Sequence, residues 1–245
     1  MAATDLGRRL TGQHRAAQGR LGAAALLQAR RMWRLLNLAG IAETAQPWVD
    51  ANLLLIERQH RASVALSRAY LTSFRLAEAG AQPAAGTIPA ATFNRAAAAT
   101  SLYATGPGSY LSQLKAGRSD TDAARRALNA VAGAAARHVL AGGRDTLTQA
   151  VAADSRALGW ARATSGGPCA FCAMLASRGP DFGSEASAGF QAHDSCACQP
   201  EPVYRSDAAW PSGAQQFRQV WDESTRDAGD LDPAVAFRRA YEGRT

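Results

Sequence analysis

With 245 residues the chain can fill one large domain or two small ones, but much of its 47% apolar content is alanine, so the core is thin for its length. Its formal charge of +7 is carried by scattered arginines, with Lys115 the single lysine and no run of five or six like charges; this reads as a solvated basic surface rather than a concentrated polyanion patch. No stretch of about eighteen apolar residues occurs, which excludes a transmembrane helix, and no apolar segment follows MAATDLGRRL, so no export signal and a reducing compartment are expected.

In chain order, residues 5–40 read as helix, with Leu21, Ala25, Met32, Leu35 and Leu36 near a helical period and Gly40 as the stop. A second helix is expected from Pro47, in a first-turn position, to Gly80. Val49, Leu53, Ile56, Val64, Leu71 and Phe74 share its apolar face. AQPAAGTIPA at 81–90 breaks the pattern, and short helices are expected at 91–104 and 109–115. Ser119 or Asp120 caps the next helix, which the Gly142-Gly143 pair should end near Leu140; another helix runs from Asp145 to about Leu158. After Gly159 the composition turns to glycine, serine and threonine. Residues 160–164 suit a short strand, and 196–204, with Pro200 and Pro202, suit an edge strand. Helices close the chain at 213–224 and 232–243, the last with Asp232 as cap and Pro233 in the first helical position. The expected fold is mainly α. An extended helical bundle (1–158) precedes a small α+β Cys/His module (159–206) and a helical C-terminal tail (207–245).

All four cysteines lie in two pieces, GGPCAFCAMLASRGP and AHDSCACQP, with a histidine beside the second pair. Cys169 and Cys172 form a CxxC turn whose two thiolates can hold one tetrahedral ion. His193, Cys196 and Cys198 supply three further candidates for the remaining positions. Two thiols separated by one extended residue point to one face, so Cys196 and Cys198 can reach the same ion. Four protein ligands leave no open coordination position, which suits structural rather than catalytic zinc. A module this small gains folding energy directly from a metal. Disulfides formed in an oxidising medium, plain buried thiols and a redox CxxC are the alternatives.

The pattern Cys169, Cys172, Leu175, Gly179, His193, Cys196, Cys198 resembles the C-terminal motif of MuF-like minor capsid proteins, the phage head morphogenesis family, in the form carried by tailed phages and prophages of actinobacteria. Many members carry proline after the histidine; Asp194 stands there in this chain. The tail DPAVAFRRAYEG is also similar to actinophage members, and the resemblance covers about residues 158–243. It implies a virion structural protein of the phage head, in the host cytoplasm during assembly. The expected partners are portal, major capsid and scaffolding proteins, with packaged DNA as a non-specific partner, and no membrane or small-molecule substrate.

Some actinophage proteins at this position are described as capsid maturation proteases, which makes that activity the alternative. The residues give it little support: no GxSxG and no HExxH occur, so no catalytic or cofactor-binding residue is assigned. His60 and His138 read as surface or half-buried helix residues, and His14 lies in a polar N-terminal stretch. Cys172 and His193 can be drawn as a nucleophile–base dyad, but metal-ligand spacing accounts for the same residues. The segment between the cysteine pairs carries Arg178 against Asp181, Glu185 and Asp194, a poor phosphate-binding surface; DNA contact would fall to the arginine-bearing helices.

Overall fold

A computed structural model describes residues 2–84, 86–164, 166–181, 190, 192–208, 210–211, 213–226 and 228–244. Three long helices dominate. Helix α1 spans Asp5–Trp33, α2 spans Ile41–Ala79 and α5 spans Asp120–Ala153, with the shorter α3 (Arg95–Thr105) and α4 (Pro107–Lys115) packed on α5. Thr4 opens α1 by accepting the Gly7 N–H at 2.9 Å. The buried stripe of α1 runs Gly7, Thr11, His14, Gln18, Gly22, Ala25, Ala29, Trp33, in steps of three and four that keep one face toward its neighbours. In α2 the expected face is buried in full.

The shared interior has two apolar ends and a polar middle. At one end Trp33 meets Trp48 edge to face at 5.9 Å, beside Leu53, Ile56, Leu102 and Val131. At the other, Tyr70, Leu71 and Phe74 pack on Leu147 and Ala150. Between them Gln18 Nε2 donates to the Ser63 carbonyl at 3.0 Å, Ser63 Oγ donates to Gln18 Oε1 at 2.8 Å, and the Gly143 N–H donates to Ser63 Oγ at 2.9 Å. His14 lies against Ser67 at 2.9 Å and stacks on Tyr70 at 4.4 Å. Every polar group taken from water here needs such a partner.

Several sequence expectations are corrected. α1 stops at Trp33 and a turn follows, so Leu35 is 70% exposed. α2 begins at Ile41, six residues before Pro47; Thr44 Oγ1 secures its first turn on the Gly40 carbonyl at 2.8 Å, and Pro47 is carried inside the helix. Gly142 and Gly143 do not end a helix, and α5 runs unbroken to Ala153. A β-carbon on Gly142 would stand 2.6 Å from the His60 carbonyl oxygen, and one on Gly143 2.5 Å from Gln18 Nε2. These glycines let helices approach. His60 is buried, 3% exposed, with its ring 5.2 Å from Phe93, rather than at a surface.

The last third holds a three-stranded antiparallel sheet, order β2–β1–β3, from β1 (Gly159–Ala163), β2 (Pro180–Asp181) and β3 (Gln199–Val203). Pro200 and Pro202 sit on the outer strand β3, where a missing N–H costs no ladder bond. Helix α6 (Ala170–Ala176), which no sequence signal indicated, packs on α7 (Ala214–Arg226) and α8 (Pro233–Glu242). Asp232 caps α8, accepting from Ala234 and Val235. α5 reaches the sheet through β1 and β3. No helix among the described residues is long and apolar enough to cross a membrane.

Candidate metal centre

The five candidate ligands singled out in the sequence converge. Cys169 is the residue before α6, in extended conformation with no side-chain capping bond, so its thiol is left for other contacts. Cys172 follows in the first turn and faces inward. Tyr241 of α8 fixes the approach to this turn by donating to the Pro168 carbonyl at 2.6 Å. The second limb is a tight turn in which the Cys196 N–H donates to the His193 carbonyl at 3.2 Å, with Ser195 in the left-handed region at φ 65°.

Two overlapping triads result: Cys169, Cys172, His193 and Cys172, Cys196, Cys198, each with its ligand atoms within 4.8 Å of one another. Cys172 belongs to both. Its Sγ lies 3.4 Å from His193 Nε2 and 3.5 Å from Cys196 Sγ, and Cys169 Sγ lies 2.9 Å from the same Nε2. Tetrahedral bonds of about 2.3 Å to sulfur and 2.0–2.1 Å to nitrogen give ligand–ligand edges of about 3.8 Å (S–S) and 3.5 Å (S–N). The two Cys172 contacts are within a few tenths of an ångström of those edges. The donor set therefore fits a soft divalent ion such as zinc.

The histidine is oriented for ligation. His193 Nδ1–H donates to the Asp194 carbonyl at 2.6 Å, which leaves the Nε2 lone pair facing the thiols. Asp194 pairs with Arg137 of α5 at 2.7 Å, and Arg137 also donates to Ser101 Oγ. Gly133 of α5 lets the turn lie close, since a β-carbon there would stand 2.9 Å from Ser195 Oγ.

Below the thiols, Arg144 of α5 donates from Nε to the Cys198 carbonyl at 3.0 Å and from Nη2 to the Cys196 carbonyl at 2.5 Å. Phe190 packs against the buried cysteines with Arg162 over its ring at 3.8 Å and Arg144 at 5.3 Å. Hydrogen bonds from Cys172 and Cys198, together with the positive charge of Arg144, hold Cys196 well below the usual thiol range. Cys172 is pushed up by its hydrogen bonds with Cys196 and Cys198 and by burial. Arg137 and Arg144 carried no signal in sequence, because the groups they hold in this limb lie more than fifty residues away.

Residues 7–224 match a protein family described as VG15 protein, a span covering most of the chain. The chain belongs to the VG15 protein family. That is a viral, phage-type family, and the chain is accordingly a protein of phage type. The matched span takes in α1 from Gly7 on, all of α2 and α5, the sheet and every candidate ligand of the metal centre. No curated protein and no solved structure matches it.

Proposed function

We propose that this VG15 family member is a MuF-like minor capsid protein of the phage head, acting structurally in head morphogenesis near the portal, with a C-terminal module held by zinc. The carrying observation is the convergence of Cys169, Cys172, His193, Cys196 and Cys198 on one spot in a chain of phage-type family. Three of these thiols are buried, and the His193 ring is turned toward them by its own backbone bond, the arrangement of a structural rather than a substrate-accepting site. Portal, major capsid and scaffolding proteins are the proposed partners. Exposed arginines on α1 (Arg9, Arg20, Arg30, Arg31) and at its C-cap (Arg34) support a non-specific contact with packaged DNA. The test is genetic and biochemical. A phage carrying an amber codon in this gene should build few infectious heads, and the protein should co-purify with wild-type heads at a fixed, low copy number. Normal head yield without it, or its absence from purified heads, rejects the proposal.

A second reading rests on one contact. The exposed Cys169 thiol lies 2.9 Å from an oriented His193 Nε2, the spacing of a nucleophile and its base, as a capsid maturation protease would need. Two buried thiols beyond Cys172 have no part in such a dyad, which weighs for the metal. Cleavage of co-expressed major capsid protein that disappears with Cys169→Ser would reverse the order of the two readings.

A further inference from the structure

We infer that Arg144 is the counter-cation of the metal centre, a positioning residue on α5 that offsets the negative charge of the thiolates around the ion. The inference rests on the reading of the cluster as a metal site. Three thiolates and one imidazole around a divalent ion leave a net charge of about −1, and four thiolates about −2. Such a charge, resting partly on the buried thiols of Cys172, Cys196 and Cys198, is costly unless a fixed opposite charge lies beside it.

Arg144 supplies that charge. It is 2% exposed, the largest fully buried side chain among the described residues, and it sits in the interior of a thirty-four-residue helix that cannot carry it to water. Burying a guanidinium costs several kcal/mol unless an anion repays it. Its fork is spent on the carbonyls of Cys196 and Cys198, two of the candidate ligands, and Nη1 has no hydrogen-bond partner among the described residues. The two bonds also fix the backbone on either side of Ala197, so both thiols stay turned toward Cys172. Arg162 is a second cation nearby, 3.8 Å from the Phe190 ring that Arg144 approaches at 5.3 Å.

The position is selective as well as stabilising. A cation beside the ligands favours deprotonated sulfur over neutral donors, so the site should prefer zinc or cobalt(II), which accept several thiolates, to magnesium or calcium, which take oxygen.

The test uses the full chain, purified reduced and loaded with zinc or cobalt(II). Zinc affinity is read by competition with a chromophoric chelator, the ligand set by the cobalt(II) absorption bands, and the helical body by circular dichroism. Wild type should bind one ion per chain. Arg144→Gln, which keeps a donor and loses the charge, should weaken zinc by roughly 10–100-fold and shift the cobalt(II) bands while helicity is retained. Arg144→Lys, which keeps the charge, should stay within roughly threefold of wild type. Equal affinity for Arg144→Gln and wild type overturns the inference and leaves the metal site standing, as does a tenfold loss for Arg144→Lys. The lysine variant decides alone if the glutamine variant does not fold. A wild-type chain that binds no ion overturns the metal reading and this inference with it.

Discussion

Glycine-to-alanine exchange should have opposite signs at two positions of the helical body, and the geometry sets both. Alanine is a better helix former than glycine by about 1 kcal/mol in a helix interior. At Gly19, in α1, an added β-carbon meets nothing within 4 Å, so Gly19→Ala should gain about 0.5–1 kcal/mol. At Gly142 the same carbon would stand 2.6 Å from the His60 carbonyl oxygen and 3.0 Å from two ring carbons of His60. The oxygen belongs to the backbone of α2 and cannot rotate away, so α5 and α2 must separate by about 0.5–1 Å at their contact. Overpacking of this kind costs about 1–3 kcal/mol, and a clash with backbone belongs at the upper end. Subtracting the propensity gain leaves Gly142→Ala about 2 kcal/mol less stable. For a chain of this size 1 kcal/mol moves Tm by about 2–4 °C, so Tm should fall by about 4–8 °C for Gly142→Ala and rise by a few degrees for Gly19→Ala. Thermal and urea unfolding followed by circular dichroism reads both. A rise in Tm for Gly142→Ala would refute the close approach of α5 to α2 and with it the reason that α5 continues through a Gly-Gly pair.

Cys172→Ser removes the ligand common to both triads, so it should abolish zinc binding and open the segment 166–206 to proteolysis while leaving most of the helical signal; limited proteolysis and metal analysis check this. Burial lowers His14 from 6.5 to about 4, so the unfolded chain takes up the proton first as pH falls. Stability should therefore be full above about pH 6.5, decline by up to ~3 kcal/mol toward pH 4, and decline less in His14→Gln; urea midpoints between pH 7 and 4.5 read the slope. Arg75 clasps Asp154 through Nε and Nη2 at 2.5 and 3.0 Å and also donates to the carbonyls of Ala81 and Gln82, so Arg75→Met should cost about 2 kcal/mol, against less than about 0.5 kcal/mol for the exposed Arg61→Met.

What could be read from sequence was whatever its own neighbours decide. The face of α2 from Val49 to Phe74 is periodic and is buried as expected, Asp232-Pro233 starts α8, and Pro200 and Pro202 mark an outer strand. The cysteines announced their convergence through CxxC and HxxCxC spacing alone. What stayed hidden was decided by distant residues. Gly142 and Gly143 look like a stop until His60 and Gln18 are placed against them. Leu35 fits a helical stripe that ends two residues before it. His14, Gln18, Ser63 and Ser67 form a polar layer whose members are scattered over about fifty residues of chain. Arg144 reads as a surface residue of a basic protein and is instead the most deeply placed large side chain beside the thiols.

The contacts that hold the ligand limb share one helix. Gly133, Arg137 and Arg144 lie on α5, and all three hold the limb that carries His193, Cys196 and Cys198. The same helix forms the common wall of α1 and α2. An ion bound by the cluster would favour only the arrangement in which that limb rests on α5, and by mass action would stabilise the docked state by RT ln(1 + [L]/Kd), about 2.7 kcal/mol at a hundredfold excess over Kd. Most of that energy should appear as resistance of the 190–206 segment to opening. A smaller share should pass to the helical body, because α5 keeps its packing on α1 and α2 when the limb lifts. The polar layer at Gln18 and Ser63, which grips α5 through the Gly143 N–H, is what separates the two. Loss of a bound ion and global unfolding would then be distinct events in one chain, the first set by the candidate ligands and Arg144, the second by the glycine contacts and the layer beneath them.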